Sequence, residues 1–236
     1  MPRGKDSKTL KDEGIIICIA TGRSPVQLTQ FSKIEFDAYL TFNGSYCFTS
    51  YGKKILSDTI PKEDVLKIIK NATKIGRPLS IATDKITISN GQDDDLIAYY
   101  AFANGRPYIS DEFDDTAKND DVYQMMVGAT KDQYDKLLDG VKKAKITAWW
   151  DRAVDIIPVT SGKRRGIKKI LEHYDIKEGE AMAFGDGRND IEMLKIVGHG
   201  TAMDNATSDV KACADDICGD VADDGIYHYL TSKGII

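Results

Sequence analysis

The sequence predicts an α/β protein, a Rossmann-like doubly wound parallel core sheet with an inserted α+β domain, and three observations carry that prediction. Apolar runs at 14–20 and 38–42 each end in a small polar turn, a block at 61–157 mixes hairpins with amphipathic helices, and from Thr160 onward strands and helices alternate strictly. Strict alternation implies parallel βαβ units covered by helices, whereas hairpins imply antiparallel pairing. Residues 1–58 and 160–236 are therefore expected to share one core, with 61–157 as the inserted domain.

Taken in order, "GIIICIATGRSP" at 14–25 reads as a strand buried on both faces, since six apolar residues rich in β-branched types follow Gly14. Ser24 and Pro25 then look like a helix start, with serine as cap and proline in the first turn. "AYLTFNG" repeats the strand-to-turn design, and "SYCFTSYGKKIL" reads as a hairpin about its Tyr-Gly-Lys turn.

In the inserted block, "PKEDVLKIIKNATKIG" puts Val65, Ile68, Ile69 and Ala72 on one helical face, with Gly76 as the stop. "RPLSIATDKITISNG" suits a hairpin with one wet face. A polar helix near Leu96–Ala103, the strand "VYQMMVGA", a helix holding Tyr134, Leu137, Leu138 and Val141, and the strands "ITAWW" and "AVDIIPV" complete it. Trp149, Trp150 and Arg152 stand out there as candidates for ligand contact, against a reading with at least one tryptophan in the core and Arg152 solvated. After Thr160 come a helix at 164–174 with Ile167, Ile170, Leu171 and Tyr174 on one face, then "AMAFG", "DIEMLKIVG", "GTAM", "ATSDVKACA" and "DDICG" in alternation.

Composition narrows the function. A 236-residue chain that is 42% hydrophobic can bury a substantial interior, and a net charge of −5 with lysines and arginines scattered among acids gives no basic stripe for nucleic acid. The ligand is expected to be small. Four cysteines without metal-ligand spacing read as reduced core thiols, and neither a secretion signal nor a long apolar run is present, so the expected compartment is the cytoplasm, with no membrane partner. In that setting the N-x-[ST] matches at Asn43, Asn71 and Asn205 do not read as glycosylation sites. Nothing in the sequence reports oligomeric state.

In an open parallel sheet, ligands collect at the C-terminal ends of strands, and every polar cluster of the core segments falls there. Thr21, Gly22 and Arg23 end one strand, Asn43 and Gly44 a second, and "GDGRND" a third, while Lys163 opens a helix. Thr21 offers a hydroxyl, Gly22 an unobstructed N–H and Lys163 a point charge. Asp186 and Asp190 offer hard oxygens suited to Mg²⁺. Together these suit a phosphate monoester, whose transfer chiefly requires positioning and charge neutralisation. Each alone has a plainer reading: Thr21 as a helix-entry turn, Arg23 as a solvated first-turn residue, Asn43 before Gly44 as a tight turn, Lys163 as surface charge, the two aspartates as helix-capping acids. No structural need accounts for two aspartates and Asn189 in one strand-end turn.

The order of these motifs resembles the haloacid dehalogenase superfamily, and within it the Cof-type phosphatases that carry a large α/β cap of the C2 type. The resemblance covers nearly the whole chain through "IATGRSP", "TFNGSYCF", "VTSGKRRGIKKIL", "AFGDGRNDIEML", "GTAMDNATSDVKACADDI" and "DDGIYHYL". It implies a Mg²⁺-dependent phosphatase of small phosphorylated metabolites, sugar phosphates among them, working through an aspartyl-phosphate intermediate. By that resemblance Thr21 binds the phosphoryl group, Lys163 balances charge, Asp186 ligates Mg²⁺, Asp190 ligates it or holds its waters, and Asn189 orients the lysine or phosphate. Asn43 and Gly44 would lie near the substrate, and Gly22 and Arg23 would shape its floor.

The family's first motif, D-x-D-x-[TV] at the end of a first strand, supplies the nucleophile and the general acid. Upstream of "IATGR" stands only "MPRGKDSKTLKDEGIII", whose Asp6 and Asp12 are six apart, and "FDDT" at 113–116 is a decoy in a polar stretch. The expectation is a core lacking its first strand, read from an internal methionine, with little turnover of its own. A catalytically dead relative that binds phosphorylated ligands or a protein partner is the alternative, and a phosphomutase, which uses the same acid pair, stays open.

Overall fold

The computed structural model describes residues 10–28, 35–148 and 150–236. They fall into two compact units, one made of residues 10–21, 35–56 and 162–236, the other of residues 22–28 and 57–161. Among the described residues, no helix is long and apolar enough to cross a membrane.

The first unit begins with β1 (Cys18–Ala20), β2 (Ala38–Thr41), β3 (Tyr46–Thr49) and β4 (Lys54–Ser57), bonded in that order. β1 and β2 run parallel, and β2 and β3 form an antiparallel pair with Leu40 opposite Cys47. Period-2 alternation sends Ala38, Leu40, Cys47 and Leu56 to one apolar cluster, while Tyr39 stacks on Phe48 across the pair, ring centroids 5.1 Å apart. β1 is not buried on both faces as expected: Cys18, Ile19 and Ala20 are half-buried and Ile15 is exposed. Its one strand neighbour among the described residues shields only one edge. Ser24 begins a short 3₁₀ turn, Pro25–Gln27, its N–H and hydroxyl both donating to Gln27 Oε1; the rest of the expected helix, at 29–34, lies outside the described residues.

The second unit carries α1 (Lys62–Lys74), with Glu63 and Asp64 in its first turn and Gly76, at φ 69°, just past its end. β5 (Leu79–Ala82), β6 (Thr87–Ser89), α2 (Asp94–Ala101), α3 (Phe113–Asn119), β7 (Gln124–Gly128), α4 (Tyr134–Leu137), β8 (Ala144–Thr147) and β9 (Ala153–Pro158) follow. The strands form an antiparallel sheet ordered β6-β5-β7-β9-β8. Val65, Ile68 and Ala72 of α1 pack on Leu79, Ile81, Met125, Val127, Val154 and Ile156. The hairpin face expected to be wet is covered, since Ser80, Ala82 and Ser89 on it are buried; on the same sheet α2 lies on β7 and β9, and Tyr99 Oη donates to the buried Asp155 at 2.6 Å. "FDDT" opens α3, so its aspartates sit in a helix first turn. Arg152 is exposed, as expected, and pairs with Asp95 at 2.5 Å while lying over the half-buried Trp150 ring, 5.2 Å from its centroid. Trp149 lies outside the described residues.

The first unit resumes with α5 (Lys163–Tyr174), β10 (Met182–Gly185), α6 (Ile191–Leu194), β11 (His199–Ala202), α7 (Ser208–Lys211), β12 (Asp216–Ile217) and α8 (Gly225–Ser232). β10, β11 and β12 are parallel and form their own sheet, so among the described residues the core strands stand as two sheets, with β1 and β10 each bonded to one neighbour. Side chains join what strand pairing does not: Ala20 and Ile167 pack into the apolar clusters of both sheets. Gly166 is the contact point of α5, since a Cβ there would overlap Leu40. All four cysteines are free, as expected, and burial pushes the thiols of Cys18 and Cys47 up to about 12.

Candidate functional site

β10 ends at Gly185, where a Cβ would stand 2.6 Å from Asp190 Cβ, so only glycine lets the following loop fold back so tightly. The loop closes on the Asp190 carboxylate. Its Oδ2 accepts the N–H groups of Asp186 at 3.1 Å and Gly187 at 3.0 Å, and its Oδ1 lies 2.5 Å from Lys163 Nζ. Lys163, the first residue of α5, is buried at 6% exposure, and its ammonium also donates to the Ala20 carbonyl at 3.4 Å. The plainer reading of this lysine as surface charge is thus excluded. An ion pair withdrawn from water persists only where further hydrogen bonds support both partners, as the loop amides and the end of β1 do here.

A second turn meets this one. Thr21 follows β1, its N–H bonded to the Leu40 carbonyl at 2.9 Å, and its own carbonyl accepts Asn43 N–H at 3.1 Å. Phe42, Asn43 and Gly44 take φ values of 51°, 54° and 94°, a left-handed run that turns the chain sharply out of β2. Gly44 packs against the backbone of Gly162, so its part is to let the turn press on the start of α5. The buried Asn43 presents Oδ1 to Asn189 Nδ2 at 2.9 Å. Thr21, Asn43, Lys163, Asn189 and Asp190 are therefore brought together from four segments. Gly22 and Arg23 fall in the second unit.

Asp186 differs from Asp190 in that it is exposed. Its Oδ2 accepts Asn205 Nδ2 at 2.8 Å. The sequence marks Asn205 only by an N-x-T match and the tail "GTAMDNATSDV"; its one local signal is a polar turn at the end of β11, the position that the other site residues hold on their own strands.

The family profile of the haloacid dehalogenase-like hydrolases matches residues 5–230. The chain belongs to this family. It is 25% identical over 236 residues to the 5-amino-6-(5-phospho-D-ribitylamino)uracil phosphatase YitU of Bacillus subtilis, covering 94% of this chain and 86% of that protein. It is 25% identical over 231 residues to the HMP-PP phosphatase of Yersinia pseudotuberculosis, with 94% and 84% covered. Among solved structures it is similar to the subclass IIB sugar phosphatase BT4131, at 30% identity, TM-score 0.85 and coverage of 98% and 90%. It is also similar to BT1666 of Bacteroides thetaiotaomicron, at 26% identity, TM-score 0.89 and coverage of 100% and 88%. The Cof-type fold with its cap follows, and by homology the chain is a phosphatase of the haloacid dehalogenase family.

The residues present fit the Mg²⁺ that this family implies. Among the described residues no cluster of three or more metal-ligating side chains of the histidine, cysteine or acidic type exists. Mg²⁺ commonly takes one or two carboxylates and completes its shell with waters and substrate phosphate. Asp186 meets that need, with an exposed carboxylate at a strand end. Each oxygen of Asp190 already serves Lys163 or the loop amides, leaving it fewer lone pairs to offer.

Proposed function

We propose that this protein is a Mg²⁺-dependent phosphatase of small phosphorylated metabolites, sugar phosphates among them. The observation that carries the reading is the convergence of Lys163, Asp190 and the Asp186 loop with Thr21 and the Asn43–Asn189 pair. In this reading Thr21 and Asn43 orient the phosphoryl group, and the Lys163 ammonium offsets its charge. Asp190 keeps that ammonium aimed, and Asn189 fixes Asn43. Asp186 is the direct ligand of Mg²⁺, which when bound supplies charge neutralisation for the transferring group. The relatives named as a 5-amino-6-(5-phospho-D-ribitylamino)uracil phosphatase, an HMP-PP phosphatase and a sugar phosphatase support a small-metabolite substrate.

The aspartyl-phosphate route of the family needs a carboxylate pair that residues 1–20 do not contain in D-x-D spacing. These 236 residues by themselves are therefore proposed to bind phosphate with Mg²⁺ but turn it over slowly. A non-catalytic phospholigand binder is the second reading. Hydrolysis of p-nitrophenyl phosphate with Mg²⁺ separates them. Turnover by a chain of verified mass, abolished by Asp186→Asn, supports the phosphatase and removes the slow-turnover clause; phosphate binding without turnover supports the binder. Absence of both removes the site.

A further inference from the structure

We propose that Asn205 is a positioning residue: its amide fixes the Asp186 carboxylate in the orientation that leaves Oδ1 for a divalent cation, and this inference rests on the metal-site reading above. The amide is held at both ends. Nδ2 donates to Asp186 Oδ2 at 2.8 Å, and Oδ1 accepts Val221 N–H at 3.4 Å. A carboxylate only accepts and a backbone N–H only donates, so the two neighbours determine which way the amide faces. The backbone beneath it is anchored as well. Met203 N–H bonds to the Gly185 carbonyl at 2.9 Å, continuing the β10–β11 ladder, and the next turn closes through Ala206 N–H to Met203 O at 3.0 Å. The turn carrying Asn205 is thereby registered against the loop carrying Asp186.

Folding alone does not require this bond. Asp186 and Asn205 are both exposed, so water would satisfy either group if the other were removed, and little stability is at stake. What the bond removes is rotamer freedom of a carboxylate, and the stray acids nearby are already engaged: Asp204 with Lys211 at 2.7 Å, Asp209 with Arg188 at 2.8 Å. Partners that orient a metal ligand typically contribute about 10- to 100-fold to metal affinity.

The test is a titration of the full chain with Mn²⁺, standing in for Mg²⁺ and read by electron paramagnetic resonance, with thermal unfolding measured on the same samples. Asn205→Ala and the size-preserving Asn205→Leu are expected to raise the Mn²⁺ Kd about 10-fold while the melting temperature stays at the wild-type value. Asp186→Asn is expected to abolish the site, and Asn205→Ala added to it to change nothing more. If both Asn205 variants bind Mn²⁺ within about twofold of wild type while Asp186→Asn does not bind, the positioning role is overturned and the metal site stands. If Asp186→Asn binds Mn²⁺ as wild type does, the metal-site reading falls, and the role of Asn205 with it.

Discussion

Lys163 Nζ and Asp190 Oδ1 lie 2.5 Å apart across 27 positions of sequence, with side chains 5% and 8% exposed. The pair joins the start of α5 to the loop after β10. Removing one partner strands the other charge away from water, which costs about 3–5 kcal/mol. Lys163→Met is therefore expected to lose that much stability in urea unfolding. Lys163→Met with Asp190→Asn should lose at least about 1 kcal/mol less than the sum of the single losses, since the two side chains share one interaction. Additive losses would mean that the pair is not coupled in solution.

Gly44 makes a different prediction at the same place. Its φ of 94° penalises any L side chain, and a Cβ would stand 2.7 Å from the Gly162 carbonyl carbon. Overpacking and the left-handed backbone together should make Gly44→Ala cost about 3 kcal/mol. Gly179→Ala, where nothing lies within 4 Å of the added carbon, should stay within about 0.5 kcal/mol of wild type. Denaturation midpoints of the two variants check the contrast.

These two residues also mark how far the sequence could be read. "GDGRND" was legible because its signal is local: an apolar strand, a glycine and acids within one turn. The burial of Lys163 was not, since it depends on Asp190 and on Ala20, the latter 143 positions away. Likewise the polar stretch near Leu96–Ala103 announces a helix without saying which surface it covers, so the sequence leaves one face of the 77–91 hairpin wet. β1 differs in the opposite sense: its run of isoleucines reads as doubly buried, yet burial of a strand's faces depends on the layers packed over them, which the run itself does not report. The helix that "FDDT" begins is not announced by the sequence, because α3 has little apolar periodicity.

Asp216 gives a pH-dependent prediction. Hydrogen bonding from Lys233, then from the Ile217 N–H and the Tyr229 hydroxyl, lowers its carboxyl from 3.8 to about 2. Tyr229 Oη also lies 2.7 Å from His199 Nε2, so the carboxylate helps to tie α8 to β11 and β12. Because the folded value is the lower one, this support is complete above the ordinary carboxyl range and fades as pH falls toward 2. The Asp216 carboxyl carbon, followed by NMR, should titrate with a midpoint near 2, and Lys233→Met should move it up toward 3.8. A midpoint unmoved by that variant would show that Lys233 does not hold the carboxylate.

Asn43 separates backbone strain from side-chain contact. It sits at φ 54° and its Oδ1 accepts Asn189 Nδ2 at 2.9 Å, so alanine would lose both the tolerance of that conformation and the bond, whereas glycine would lose the bond alone. A left-handed alanine costs about 1–2 kcal/mol. Asn43→Ala is therefore expected to be less stable than Asn43→Gly by about 1 kcal/mol, while both variants weaken binding of inorganic phosphate equally, because Asn189 has lost its partner in each. Chemical denaturation gives the first comparison and isothermal titration with phosphate the second. If Asn43→Gly bound phosphate as wild type does, Asn43 would be a turn residue alone, and the phosphate contacts of the site would rest on Thr21 and Lys163.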